Sequence, residues 1–147
     1  MRPPPIRPDR PVELSQRQIE SLVDHAREAR ERAYAPYSRY RVGAALLTDS
    51  GELFEGVNVE NAAYPAGICA ERSAVFAAVS AGHQHFTALA VVTENAGTPC
   101  GSCRQVLAEF GLDTQVFLAD QNGRVAQRTT VGELLPLAFG PGDLQAS

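Results

Sequence analysis

A chain of 147 residues supplies one domain with a substantial core and is too short for two ordinary ones. A hydrophobic fraction of 44%, a charged fraction of 20% and a formal net charge of −4 fit a globular protein, and the scattered arginines form no basic stripe for nucleic acid. No apolar run reaches the length of a membrane span, the opening MRPPPIRPDRPVE lacks the apolar segment of a secretory signal, and no lysine is present for a Schiff base or phosphate loop. A cytoplasmic protein with no membrane or nucleic-acid partner is the expectation.

Residues 1–13 carry repeated prolines without periodicity and read as a flexible arm, leaving 14–147 as one domain. Ser15 and Gln18 match a capping box, Leu14 and Ile19 a hydrophobic staple, and Ile19, Leu22, Val23, Ala26 and Ala29 recur at helical spacing. The first helix is therefore predicted over 16–33, with His25 an ordinary, partly exposed residue. RYRVGAALLT (39–48) reads as a strand buried on both faces, DSG as a turn, and ELFEGVNVE (52–60) as the returning strand. Alternation then puts Phe54, Gly56, Asn58 and Glu60 on one face, so Asn58 and Glu60 form a polar pair at the strand's end. A loop leads to a helix over CAERSAVFAAVSAG (69–82), which Gly82 ends. The remaining elements are a strand at 85–94, a helix at 103–111, strands at 114–120 and 124–130, a short helix from the Thr130/Glu133 cap through Leu137, and a loop tail. Helices alternating with strands in the second half favour one sheet with helices on both faces. Sites in such folds lie at the carboxyl ends of strands, near helix starts.

The chemistry lies in three cysteines. Cys100 and Cys103, in TPCGSC, are three residues apart, so both sulfurs face one side of a helical first turn, and Cys69 also stands at a predicted helix start. Two helix N-termini would hold three thiols near positive dipole ends, which favours thiolate and hence zinc. Three protein ligands leave the fourth position open, the catalytic kind of site. A carboxylate at Glu71 can then move protons to and from a water. Three thiolates around a divalent ion leave one net negative charge, and Arg72 beside them would offset it. The competing reading is a buried cysteine, a surface glutamate and arginine, and a separate redox-type C-x-x-C. His83 and His85 read as a solvated loop rather than ligands.

C-A-E followed by P-C-x-x-C is the signature of zinc deaminases. With YSRYRVGAAL (37–46), GVNVENAAYPAGICAERSAV (56–75), PCGSCRQVLAEFG (99–111) and ELLPLAFGPGDL (133–144), the chain resembles the small homotetrameric cytidine deaminases over nearly all of residues 15–144. The resemblance implies a three-layer α/β/α sandwich with one mixed five-stranded sheet. It implies one zinc per chain on Cys69, Cys100 and Cys103, with Glu71 as proton shuttle. The activity it implies is hydrolytic deamination of cytidine and 2′-deoxycytidine at C4, in pyrimidine salvage. It places Asn58 and Glu60 on a ribose hydroxyl, the Ala70 backbone on the pyrimidine edge, and Tyr64 and Phe139 in a neighbouring subunit's pocket. Tyr40 stands where the family commonly has a phenylalanine packed on the base, and its hydroxyl needs a partner. Tyr40 as core and Phe139 as a tail anchor stay open. A blasticidin-type deaminase and a non-catalytic zinc module, which would need a fourth ligand, are the alternatives.

Overall fold

The structure, a computed structural model, describes residues 13–144. Apart from Glu13, the proline-rich arm expected over 1–13 lies outside the described residues. Helix α1 spans Gln16–Arg30, and both halves of its capping box form: Gln18 N donates to Ser15 Oγ at 3.2 Å and Ser15 N to Gln18 Oε1 at 2.8 Å. It stops before the expected residue 33 because the chain is drawn into a bridge. Tyr34 N donates to Asn58 O at 3.0 Å, and Glu60 N donates to Tyr34 O at 2.8 Å.

Strand β1 covers Gly43–Thr48 and β2 Leu53–Val57, both shorter than the sequence predicts. The remaining elements are α2 (Ala70–Ser80), β3 (Phe86–Val92), α3 (Gly101–Glu109), β4 (Gln115–Ala119), β5 (Val125–Thr130), α4 (Val131–Leu134) and α5 (Pro141–Leu144). Tyr64–Ala66 makes one 3₁₀ turn inside the loop before α2. The tail is thus partly helical rather than all loop. α4 ends before the expected Leu137 because Leu135 precedes a proline, which disfavours helical backbone there, and it sits at φ −136°, ψ 73°.

The five strands form one mixed sheet in the order β2-β1-β3-β4-β5, with β3 and β4 parallel and every other pair antiparallel. Strand alternation divides the core. Ala44 and Leu46, Leu89 and Val91, and Val116 and Leu118 pack with Ala74, Val75 and Ala78 of α2 and Leu107 of α3. Ala45, Ala88, Ala90, Val92, Phe117 and Ala119 point the other way and meet Ile19, Leu22, Val23 and Ala26 of α1. The result is the expected α/β/α sandwich, and its alanines let the helices lie close to the sheet.

Two glycines show how close. A Cβ at Gly43 would collide with Ala26 O and Arg30 N of α1, and one at Gly56 with Ala70 O and Ala74 N of α2. These neighbours are backbone, so they yield only if a helix moves. Gly56→Ala is expected to destabilise the fold by about 1–3 kcal/mol and lower the melting temperature by roughly 3–10 °C. Thermal unfolding checks this, and an unchanged midpoint would mean that α2 has room to retreat.

Register positions the site. Gly43 pairs with Val57 on one side and Val92 on the other. The run into β1, the exit from β2 and the exit from β3 therefore meet at one end of the sheet. The latter two lead to Cys69 and to Cys100.

Candidate active site

Cys69 is the N-cap of α2 and Cys100 the N-cap of α3, neither making a side-chain cap hydrogen bond, while Cys103 lies in the first turn of α3. Their sulfurs remain free to face one another. The Sγ atoms of Cys69 and Cys100 are 3.8 Å apart, those of Cys100 and Cys103 3.4 Å, and all three lie within 4.8 Å of one another with no disulfide among them. A tetrahedral ion with zinc–sulfur bonds of about 2.3 Å sets its ligands roughly 3.8 Å apart. The cluster thus has the spacing of one face of such a site. The Arg104 guanidinium fixes the loop that carries Cys100, donating from Nε to Pro99 O at 2.8 Å and from Nη1 to Leu134 O at 2.7 Å.

The electrostatics also fit a cation. Hydrogen bonding from Cys103, and secondarily from Arg72, holds the Cys69 thiol down at about 5. The same contact with Cys69, together with burial, pushes Cys103 up. Three crowded thiols cannot all ionise without a counter-charge, and a divalent ion supplies it. Arg72 Nη2 donates to Cys69 Sγ at 3.4 Å, while its Nε is buried without a partner in the structure. Glu71, 5% exposed, sits two residues after Cys69, and burial raises its carboxyl above the usual range despite a hydrogen bond from its own backbone. A carboxyl held high is suited to taking up a proton and giving it back.

A cleft of about 550 Å³ opens beside the cluster, lined among others by Ser38, Asn58, Glu60, Tyr64, Cys69 and Arg72. That size suits a small organic ligand. Asn58 and Glu60, just past the end of β2, both line the cleft and both grip the run into β1. Asn58 Oδ1 accepts from Val42 N and its Nδ2 donates to Tyr40 O, both at 2.8 Å. Glu60 Oε1 accepts from Tyr37 N at 2.9 Å and Ser38 N at 3.1 Å, while Oε2 accepts from Ser38 Oγ. These bonds, the Ser38 hydroxyl first, lower the Glu60 pKa and keep the carboxylate ionised. One N–H of Asn58 and one lone pair of Glu60 Oε2 are left over. Together they match the donor and acceptor of a single hydroxyl group.

Tyr40 is 37% exposed and gives its hydroxyl to Asn95 Oδ1 at 2.7 Å. Ala70 is fully buried in the first turn of α2. Tyr64 lines the cleft at 78% exposure, edge-on to Tyr37, whereas Phe139 is exposed on the tail, its carbonyl accepting from Gln105 Nε2 at 2.7 Å. His83 pairs with Glu52 at 2.9 Å and His25 with Glu55 at 3.1 Å, both away from the thiols. Sequence reasoning missed Ser38 and Asn95. Both stand in loops without periodicity, and only the pairing of β1 with β2 and β3 brings them to the site.

Known proteins supply the comparison. The family described as "Cytidine and deoxycytidylate deaminase zinc-binding region" matches residues 16–119. The chain is 49% identical over 129 residues to a cytidine deaminase of Sporosarcina psychrophila, covering 86% of this chain and 94% of that one. It is 49% identical over 126 residues to a cytidine deaminase of Halalkalibacterium halodurans, covering 84% and 95%. The crystal structure of cytidine deaminase from Burkholderia pseudomallei superposes with a TM-score of 0.77 at 47% identity, covering 86% of this chain and all (100%) of that one. With the fold, the thiol cluster and these likenesses in agreement, the chain belongs to the zinc-binding cytidine and deoxycytidylate deaminase family.

Proposed function

We propose that the chain converts cytidine and 2′-deoxycytidine, with one water, to uridine and 2′-deoxyuridine plus ammonia. The observation that carries this reading is the buried Glu71 carboxyl beside three sulfurs spaced as the ligands of one ion. Cys69, Cys100 and Cys103 would hold one zinc per chain. The bound ion supplies the Lewis acidity that makes water a nucleophile near neutral pH. The carboxylate of Glu71 takes the proton of the attacking water, delivers it to ring N3, and then helps protonate the leaving amine at C4. Arg72 offsets the excess negative charge of three thiolates at Cys69. The spare N–H of Asn58 and lone pair of Glu60 Oε2 take one ribose hydroxyl. The backbone of Ala70 takes the pyrimidine edge.

The working form is a homotetramer in which Tyr64 and Phe139 of one subunit complete the cleft of a neighbour. Supporting this, Tyr64, Phe139, Leu137 and Leu144 are large apolar side chains left exposed around the site and tail. Among the described residues no helix is long and apolar enough to cross a membrane. The free thiols suit a reducing, cytoplasmic setting and a role in pyrimidine salvage.

The deciding experiment mixes the purified protein with cytidine, follows the loss of cytosine absorbance, and assays zinc on the same sample. The expected result is stoichiometric uridine and about one zinc per chain. Zinc without turnover of cytidine or deoxycytidine, but with turnover of blasticidin S, would replace the nucleoside reading with the blasticidin one.

A further inference from the structure

We propose that the phenol of Tyr40 is a latch. Donated to Asn95, it cross-braces the run that carries Ser38 to the loop that carries Cys100, and so sets substrate affinity. This rests on the nucleoside reading above only for the assay substrate.

The placement follows from register. Gly43 pairs with Val92, Tyr40 precedes Gly43 by three residues, and Asn95 follows Val92 by three. The two side chains meet where β1 begins and β3 ends, with Tyr40 Oη 2.7 Å from Asn95 Oδ1. The Asn95 side rests on fixed ground. Its backbone bridges to Asp120 at the end of β4, and Thr93 Oγ1 contacts Asn95 Oδ1 at 3.5 Å while accepting from Gly97 N at 2.6 Å. Gly97 leaves room for the phenol, since a Cβ there would collide with Tyr40 Oη. Arg39, just before Tyr40, has φ 60°, and Ala96, just after Asn95, has φ 56°. Two side-chained residues in left-handed backbone, flanking one hydrogen bond, mark loops held by their surroundings.

On the other side Tyr40 ties into the cleft wall through its backbone. Its N–H donates to Ser38 Oγ at 3.0 Å, its carbonyl accepts from Asn58 Nδ2 at 2.8 Å, and the Ser38 hydroxyl donates to Glu60 Oε2. The groups that hold the ligand hydroxyl are thus linked through Tyr40 to the exit of β3. Glu71 and Cys69 stand at the start of α2, and the loop into α3 is also held by Arg104 through Pro99 O and Leu134 O. Loss of the phenol should therefore move binding more than chemistry. Tyr40 is a positioning residue.

The test is a double-mutant cycle on cytidine kinetics. Tyr40→Phe and Asn95→Ala should each raise KM about 5- to 20-fold with kcat within about 3-fold, and the double variant should be no worse than either single one. Asn95→Asp keeps an oxygen acceptor and should restore a KM near that of the wild type. A second readout needs no activity. The chain has four tyrosines and no tryptophan, so its near-ultraviolet spectrum on the long-wavelength side of the phenylalanine bands reports tyrosine. Asn95→Ala should shift that spectrum in the wild-type background and leave it unchanged in the Tyr40→Phe background. Additive KM effects, or a spectral shift that persists without the Tyr40 phenol, would overturn the latch. So would a lowered melting temperature with unchanged KM, which would leave Tyr40 a purely structural role. Absence of cytidine turnover in the wild type would instead defeat the nucleoside reading, and the spectral pair would still decide the latch.

Discussion

Glu71→Gln is expected to lower kcat on cytidine by roughly 10²–10⁴-fold, the range of a lost general acid–base, while zinc stays at about one per chain. Glutamine has the shape of the glutamate and keeps a hydrogen-bonding end, so the packing at a side chain that is 5% exposed is retained. What it lacks is a basic oxygen. The wild-type carboxyl is raised by burial, with the neighbouring Cys69 thiolate adding to the effect. That places it where a proton can be both accepted and released. The neutral amide carries no charge to desolvate, so the variant should melt no lower than the wild type. Steady-state kinetics, zinc content and a melting curve on one preparation check all three statements. A variant with kcat near wild type would remove Glu71 from the proton relay, whatever its zinc content.

The residues that carry this chemistry were legible because their signals are local. Ser15 and Gln18 announce α1 by capping chemistry, and the continuous apolar runs of β1, β3 and β4 announce strands. Cys69, Cys100 and Cys103 stand at helix starts that sequence can find, so their convergence needed only the rule that such folds gather strand exits at one end of the sheet. What escaped depends on partners distant in sequence. The end of α1 is set by Tyr34 bridging to Val59, and the late start of β1 by a run that Asn58 and Glu60 hold from across the sheet. Tyr40 shows the limit most clearly. Its hydroxyl needs a partner, yet that partner is 55 residues away and is fixed only by the β1–β3 register. The short α5 was missed for a related reason. Its cap, Gly140 N donating to Asp143 Oδ2 at 2.8 Å, sits in a tail otherwise rich in turn-forming residues.

Cys103→Ser is expected to lose metal, activity and stability together. Cys103 is fully buried (0% exposed) in the first turn of α3, with its sulfur 3.4 Å from that of Cys100. A serine hydroxyl is a harder donor on a shorter bond and does not ionise near neutral pH, so it replaces a thiolate poorly around zinc. Zinc should fall far below one per chain after dialysis, and cytidine turnover should fall with it. The stability change separates loss of a ligand from loss of packing. A ligand bound only by the folded state stabilises it by about 4 kcal/mol at a thousand times its dissociation constant. Wild type should therefore melt well above Cys103→Ser with zinc present, and the two should converge once a chelator has stripped the metal. A gap that survives chelation would assign the loss to packing in α3. Full zinc in the variant would remove Cys103 from the ligand set and reopen the closed, non-catalytic module. That module needs four protein ligands, and among the described residues Cys69, Cys100 and Cys103 are the group placed to hold an ion. With three ligands the fourth position would stay open to water, the condition under which Glu71 would have a proton to move.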